Sequence, residues 1–534
     1  MAGRLTRALA NSFEGHEVRD VTIGGLLREA AEQWPEREGL VEGHADGTAG
    51  RRWTFAEMLA DAERNAGGLA ARYQPGERIA IWGPNIPEWV LLEYAAALAG
   101  LTLVTVNPAY QARELDYVLR QSRSVGLFLV REHRGNPMGA IADKVAAEIP
   151  ALREVVYMED ERALFGDGPA SPLPAVDTND PAQIQYTSGT TGFPKGVVLS
   201  HRNLVNNAKL FTICGRIQQH SKMIGLTPLF HTMGCSMGVL GTVQLGSAYV
   251  PLRAFDPDKA LDLIEAEGIG WTLCVPTMAQ AMVEAQRRKP RDLTNFTYMG
   301  AGGAMVPPEL VRAIKQVLGS DIRVAYGQTE SSPLITATRR EDEFDDVCFT
   351  IGRPALECEV GIFDPATGEV LPCDTVGEIR SRSYATMLGY NDDPEATANT
   401  IDAEGWLLTG DLGTMDDRGY VKITGRVKEM IIRGGENLFP AEIENVLLEH
   451  PDVAECAVVG VPDERLGEAV AAFIRLADGA TLDVEALRAH CRSLISPQKC
   501  PAHWCAVTEW PLTGSGKIRK FELRDQWVAE NLAV

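Results

Sequence analysis

The sequence predicts an α/β protein whose large N-terminal domain holds two doubly wound α/β lobes and a β-rich lobe, followed by a small α+β C-terminal domain. Three observations predict this. Short apolar runs of strand length alternate with helical patterns through the first half of the chain and beyond, the signature of parallel βα units. From Phe349 the texture changes, as glycines at 352, 361, 368, 377, 389 and 405 punctuate short strands without long helices. Beyond Gly425 helices return between strands.

Taken in order, Thr54 with Glu57 three residues on is a capping-box signature, and the Ala/Leu-rich segment behind it reads as helix to about Tyr73. Residues 77–82 form a short apolar strand, and Pro87 at a first helical position opens a helix to about Gly100. Residues 102–106 read as strand, 112–121 as helix and 125–130 as strand. A polar, proline-bearing connector, 166–180, then closes this lobe. On its far side 223–226, 248–252, 272–275 and 322–325 read as buried strands, with helices at 258–267, 278–287 and 307–318, which makes a second lobe. The β-rich stretch runs to about Asp411. In the C-terminal unit, 441–449 and 484–493 read as helices and 457–461 and 470–476 as strands. The expected domains are therefore 1–425 and 426–534.

At 534 residues the chain is too long for one core. Its 45% hydrophobic and 23% charged residues are those of an ordinary globular protein. A formal net charge of −22 repels nucleic acid and anionic membrane surfaces, so neither is an expected partner, and local basic loops must bind any anionic ligand. No run reaches the roughly 18 apolar residues of a membrane span; the richest, 91–106, is interrupted by Glu93. The N-terminus carries Arg4 and Arg7 with no acid before Glu14 and lacks the apolar core of a secretory signal, so it reads as an ordinary frayed terminus of a cytoplasmic protein. Ten cysteines without a C-x-x-C pair are expected to be reduced. Cys500, His503 and Cys505 fit no common zinc spacing and read as structural residues of a strand at 501–508.

The densest chemistry lies in Tyr186-Thr-Ser-Gly-Thr-Thr-Gly-Phe-Pro-Lys-Gly196, between strand-like runs at 183–186 and 197–199. Glycines let backbone N–H groups converge on an anion, hydroxyls add donors, and Lys195 supplies a mobile positive charge. It is not a Walker A loop. Counted from Gly189, Lys195 is in register, but Pro194 stands at the second glycine and Gly196 at the magnesium-binding hydroxyl. Further along come Gly302-Gly303-Ala304, Tyr326-Gly-Gln-Thr-Glu330 after a strand, Thr409-Gly-Asp-Leu412, the run Gly425-Arg-Val-Lys-Glu-Met-Ile-Ile-Arg-Gly-Gly-Glu-Asn-Leu-Phe-Pro440, and Pro511-Leu-Thr-Gly-Ser-Gly-Lys-Ile-Arg-Lys520.

In that order these motifs resemble those of the adenylate-forming (ANL) superfamily, whose members include AMP-forming acyl-CoA synthetases, peptide-synthetase adenylation domains and firefly-type luciferases. The resemblance implies that Thr187, Ser188, Gly189, Thr190, Thr191, Gly192 and Lys195 hold the phosphates of ATP. It implies that Gly302, Gly303 and Ala304 form a flat wall against adenine, and that Tyr326, with Gly327 and Gln328, stacks on the ring. Thr329 would touch the α-phosphate and Glu330 would hold Mg2+, tasks that suit a hydroxyl and a hard carboxylate. Asp411 would accept both ribose hydroxyls, and Arg426 would contact ribose or phosphate. Lys428 occupies the family's hinge, which makes the C-terminal domain mobile, and Gly434 and Gly435 would flank the pantetheine arm of coenzyme A. Lys517 matches the lysine that joins acyl carboxylate to α-phosphate, and His231 a ring at the acyl-binding wall.

The likeness is greatest to medium-chain fatty acyl-CoA ligases. It implies a two-step reaction in which a hydrophobic carboxylic acid and MgATP give an acyl-adenylate and pyrophosphate, and the CoA thiol then displaces AMP. The same motifs would serve a stand-alone adenylating enzyme loading a carrier protein, or an enzyme performing one half-reaction; a luciferase-like oxygenase is disfavoured. A non-catalytic nucleotide-binding regulator is expected to have lost Lys517 or Glu330, and both are present. The implied partners are small molecules (the acid, ATP and CoA), with a homodimer left open.

Overall fold

A computed structural model describes residues 4–160, 172–187, 194–304, 306–433, 436–477, 479–511 and 518–532. Its described strands form four sheets. In the first, Gly389–Tyr390, Lys195–Ser200, Pro181–Thr187, Thr102–Val106, Arg78–Trp82, Gly126–Leu129 and Glu154–Tyr157 lie side by side. The last five are mutually parallel. Lys195–Ser200 runs antiparallel to both of its neighbours.

The second sheet is parallel at its centre, through Asp321–Tyr326, Tyr298–Ala301, Trp271–Cys274, Met223–Gly225, Tyr249–Pro251 and Glu38–Gly43. Antiparallel strands close both edges, Ala49–Thr54 on one and Thr336–Ala337 with Arg353–Pro354 on the other. The third, wholly antiparallel sheet orders Leu9–Asn11, Cys358–Phe363, Gly377–Ser383, Leu407–Met415 and Val421–Arg426. The fourth holds Glu436–Leu438, Ile431–Arg433, Gly467–Leu476 and Val453–Asp463, with His503–Ala506 parallel to Gly467–Leu476.

The local signals explain most elements. Thr54 Oγ1 accepts from Glu57 N at 3.2 Å while Glu57 Oε2 accepts from Thr54 N at 2.8 Å, and the helix Phe55–Arg72 begins there. Pro87 is the first residue of the helix Pro87–Leu98, whose residues are nearly all buried. In the fourth sheet the two-residue period of the strand separates two cores. Val458, Val470, Ala472 and Ile474 face the helices Pro440–Leu448 and Val484–Leu494, whereas Ala457, Val459, Val461, Ala469, Ala471 and Phe473 pack on Leu523 and Trp527 of the helix Lys520–Leu532. Both faces are covered, hence the unbroken apolar run.

Two expectations need correction. The lobes are not consecutive in sequence: Pro181–Thr187 and Lys195–Ser200, beyond the connector, join the first sheet, while the early hairpin Glu38–Gly43 and Ala49–Thr54 joins the second. Hydrophobic alternation signals a strand but not its sheet, because any buried apolar surface satisfies it. From Arg4 onward the N-terminal segment is not frayed either. Leu9–Asn11 pairs with Cys358–Phe363, Ala8 is buried, and Arg4 pairs with Asp417 at 3.1 Å. A vacant sheet edge gave this segment its backbone partners. All ten cysteines are free thiols, and no described helix is long and apolar enough to cross a membrane.

One buried polar network ties the first sheet to the next lobe. Gln183 Nε2 donates to Glu93 Oε1 at 2.6 Å, Gln185 Nε2 donates to Gln183 Oε1 at 2.7 Å, and the Cys235 thiol donates to Gln183 Oε1 at 3.4 Å. Burial pushes the Glu93 carboxyl far above its ordinary range, only partly opposed by the Gln183 hydrogen bond, so the acid is held neutral. The folded state therefore binds this proton more tightly than the unfolded chain. Its contribution to stability is complete at acidic pH and is lost as pH rises from the ordinary glutamate value towards the raised one. Glu93→Gln keeps the shape and removes the titration. Its stability relative to the parent is expected to grow between pH 5 and pH 8 by about 1 kcal/mol or more, read from urea midpoints; parallel pH curves would show that the carboxyl is not held neutral.

Candidate active site

Two segments far apart in sequence, the strand Asp321–Tyr326 and the antiparallel pair Leu407–Met415 and Val421–Arg426, meet at the carboxyl end of the first, where α/β sheets present ligand-binding groups. The Tyr326 hydroxyl donates to Asp411 Oδ2 at 2.8 Å, and Arg426 forms an ion pair with Asp411, its Nε 3.0 Å from Oδ1. The second contact follows from register, since Asp411 and Arg426 are opposite one another in the antiparallel pair of Leu407–Met415 and Val421–Arg426. Asp411 is only 8% exposed, and its backbone N–H is held by Thr409 Oγ1 at 3.1 Å. Each carboxylate oxygen keeps lone pairs beyond those contacts, so the group remains an acceptor for a further hydroxyl. Burial and the neighbouring Asp411 charge push the Tyr326 hydroxyl well above its ordinary pKa, so it stays a donor.

Gly327 is required by close approach. A Cβ there would stand 1.7 Å from the Pro333 carbonyl oxygen. The chain then makes a single 3-10 turn, Thr329–Ser331, which aims Glu330 inward; Gln328 N donates to Ser331 Oγ at 3.1 Å and anchors the turn. Glu330 Oε1 accepts the Tyr390 hydroxyl at 2.7 Å, and the Lys195 ammonium lies 4.8 Å from the centre of the Tyr390 ring. Lys195 is paired in register with Thr187 at the mouth of the hairpin.

Gly302 ends beside the strand Tyr298–Ala301, and a Cβ on it would meet Met233 Cε at 2.6 Å. Gly303 has φ +83°, the left-handed region that favours glycine, and both it and Ala304 are exposed. His231, two residues before Met233, keeps an exposed surface although protein surrounds most of the ring. The surrounding protein desolvates its imidazolium and lowers its pKa to about 4, so the ring is neutral near pH 7, and it lies against Phe230 with centroids 4.1 Å apart.

The structure thus brings Tyr326, Asp411 and Arg426 together, and sets Glu330 and Lys195 against Tyr390; Gly302 lies between Met233, in the loop of His231, and the end of the Tyr326 strand. Lys428 lies on the 3-10 turn Val427–Glu429 just after Arg426. Ser188, Gly189, Thr190, Thr191, Gly192, Gly434, Gly435 and Lys517 fall outside the described residues. Sequence reasoning missed Tyr390, and with it Gln183, Gln185 and Cys235. The signal for Tyr390 was present in Gly389-Tyr390 directly ahead of the Asp393-Pro394 helix start.

Known proteins carry the same architecture. A model of the AMP-binding enzyme family matches residues 27–391, and a model of the AMP-binding enzyme C-terminal domain matches 442–517. The chain belongs to the AMP-binding enzyme family. It is 37% identical to a putative acyl-CoA synthetase, YngI, of Bacillus subtilis, over 95% of this chain and 97% of that one. It is 36% identical to the human mitochondrial medium-chain acyl-CoA ligase ACSF2, over 95% of this chain and 87% of that protein. Among solved structures, ATP-bound MatB from Rhodopseudomonas palustris superposes with a TM-score of 0.83 at 28% identity, covering 96% of this chain and all of that one.

The Gly327 contact can be tested in this family member directly. Gly327→Ala must move the loop between Tyr326 and Pro333, at a cost of about 1–3 kcal/mol in stability. We expect AMP affinity to fall at least about tenfold, since Tyr326 and Glu330 flank the shifted residue. Parent-like melting and AMP binding in calorimetry would show that the loop admits a methyl group.

Proposed function

We propose that the chain is an AMP-forming acyl-CoA ligase in which the two constellations divide the labour of nucleotide binding. A hydrophobic carboxylic acid is activated by ATP as an acyl-adenylate with release of pyrophosphate, and the CoA thiol then displaces AMP. The observation that carries the assignment of residues is the sharing of the Asp411 carboxylate between Tyr326 and Arg426. It sets a charged acceptor beside an aromatic ring and a cation, a combination that suits ribose, adenine and phosphate together. The medium-chain ligase among its relatives points to a hydrophobic acid of that class. Ten free thiols support a reducing compartment, and we place the enzyme in the cytoplasm.

Adenylation brings anions together, so cations and N–H donors must face the developing charge. Thr187, Ser188, Gly189, Thr190, Thr191, Gly192 and Lys195 are assigned to the triphosphate, and Thr329 to the α-phosphate. Glu330 fits a divalent cation accompanying ATP: it is an oxygen donor, buried and pre-oriented by Tyr390. Bound there, the cation would supply charge neutralisation to the phosphates. Gly302, Gly303 and Ala304 form the wall against adenine. His231, neutral at physiological pH, stands at the acyl side.

We assign the two domains to 1–425 and 426–534, with the pivot at Lys428. Arg426 is held by Asp411 within the third sheet. Glu429 is held instead by Lys520, whose ammonium lies 2.9 Å from Glu429 Oε2 and 2.8 Å from Glu444 Oε1 in the C-terminal unit. Only Val427 and Lys428 separate the two anchorages. A rotation there would withdraw Lys517 and bring Gly434 and Gly435 to the pantetheine arm.

Two variants test these assignments. Lys517→Ala removes a charge-assisted contact made only while the mixed anhydride forms, and should lower pyrophosphate release from acid and ATP about a hundred- to a thousandfold. Thioester formation from the ready-made acyl-adenylate and free CoA should remain near the parent rate. Equal loss of both, in a folded protein, would remove Lys517 from the first step. Lys428→Pro restricts φ and removes a donor at the pivot, so one half-reaction should survive and the other be lost. Parallel loss of both half-reactions would count against a pivot there.

A further inference from the structure

We propose that Tyr390 is a positioning residue for adenylation: it holds one oxygen of Glu330 so that the other faces the divalent cation accompanying ATP, and keeps Lys195 from neutralising that carboxylate. The inference rests on the assignment of Glu330 to the metal.

The geometry behind it is local and complete. Tyr390 sits in the two-residue strand Gly389–Tyr390, whose neighbours are stitched to the phosphate hairpin: Leu388 N donates to Val198 O at 2.9 Å and Asn391 N to Gly196 O at 2.7 Å. On the other side Met387 N donates to the backbone oxygen of Glu330 at 2.9 Å. Tyr390 N itself donates to Thr397 Oγ1 at 2.9 Å. The ring is thereby tied to both the strand that carries Lys195 and the turn that carries Glu330, two elements separated by more than a hundred residues of sequence.

The chemistry of a phenol suits the place. Its hydroxyl donates to Glu330 Oε1 at 2.7 Å without bringing a positive charge, so the carboxylate keeps its full charge for a metal. An arginine or lysine partner would compensate that charge. The ring face meanwhile gives Lys195 an alternative resting place at 4.8 Å, and among the described residues no ion pair joins Lys195 to Glu330. Opposite charges that would otherwise collapse onto one another both remain available to a metal–triphosphate ligand.

The experiment uses full-length Tyr390→Phe, which keeps the ring and removes the donor, with Glu330→Gln as reference. Mn2+ binding to the complex with α,β-methylene-ATP is followed by electron paramagnetic resonance, and binding of the same analogue in EDTA by calorimetry. We expect Tyr390→Phe to weaken Mn2+ about tenfold, equivalent to about 1.4 kcal/mol, with metal-free analogue affinity and melting temperature unchanged. The double variant should be no worse than Glu330→Gln alone, because Tyr390 acts through that carboxylate. If Glu330→Gln weakens Mn2+ but Tyr390→Phe does not, Tyr390 does not position Glu330. If neither variant changes Mn2+ affinity, the assignment of Glu330 fails and the inference falls with it. If Tyr390→Phe weakens metal-free and metal-bound analogue alike, the residue is structural and the inference is overturned.

Discussion

The antiparallel return of Lys195–Ser200 along Pro181–Thr187 is the constraint on which the site depends. In a sheet whose core is parallel, this one reversal makes a hairpin at the carboxyl end of Pro181–Thr187, the end at which parallel sheets present ligands. It also creates a new edge strand. Gly389–Tyr390 completes that edge, and so a segment from beyond the strand Gly377–Ser383 is delivered to the strand that carries Lys195. Buried amides beneath it, Gln183 and Gln185, fasten the same hairpin to Glu93 and to the Cys235 thiol near His231. One strand reversal thus connects the hairpin, the Glu330 carboxylate and the loop of His231.

Charge is handled locally in a molecule that is anionic as a whole. With a net charge of −22, long-range attraction cannot bring an anionic nucleotide to the cleft. At short range, each carboxylate in the site has a partner that limits its repulsion without consuming it. Asp411 shares its two oxygens between a neutral hydroxyl and a guanidinium, whereas Glu330 receives only a neutral hydroxyl. That difference fits a neutral diol for the first and a dication for the second. Lys520 shows the contrasting structural use: a mostly buried ammonium between Glu429 and Glu444, satisfied on both sides, that ties the segment just after Lys428 to the helix Pro440–Leu448.

Much of the fold was legible because local physics decides it. The Thr54 and Glu57 box, Pro87 at a helix start and the run 102–106 became the elements they signal. The failures are equally physical. Leu9–Asn11 and, on its parallel side, Glu38–Gly43 find partners more than two hundred residues away, and a strand's sequence records that it has a buried face without recording which sheet supplies it.

The sequence by itself determined the chemistry and its family, because motif spacing reflects local backbone demands: glycine at 303 for a left-handed turn, glycine at 327 for close approach, a carboxylate at 330 after a strand. Only the tertiary structure decided what those groups touch. Tyr390 meets Glu330, and Tyr326 meets Asp411, across large separations in the chain. Such contacts are set by sheet register and by which edge a short strand can still pair with, and these exist only once the separate sheets have assembled.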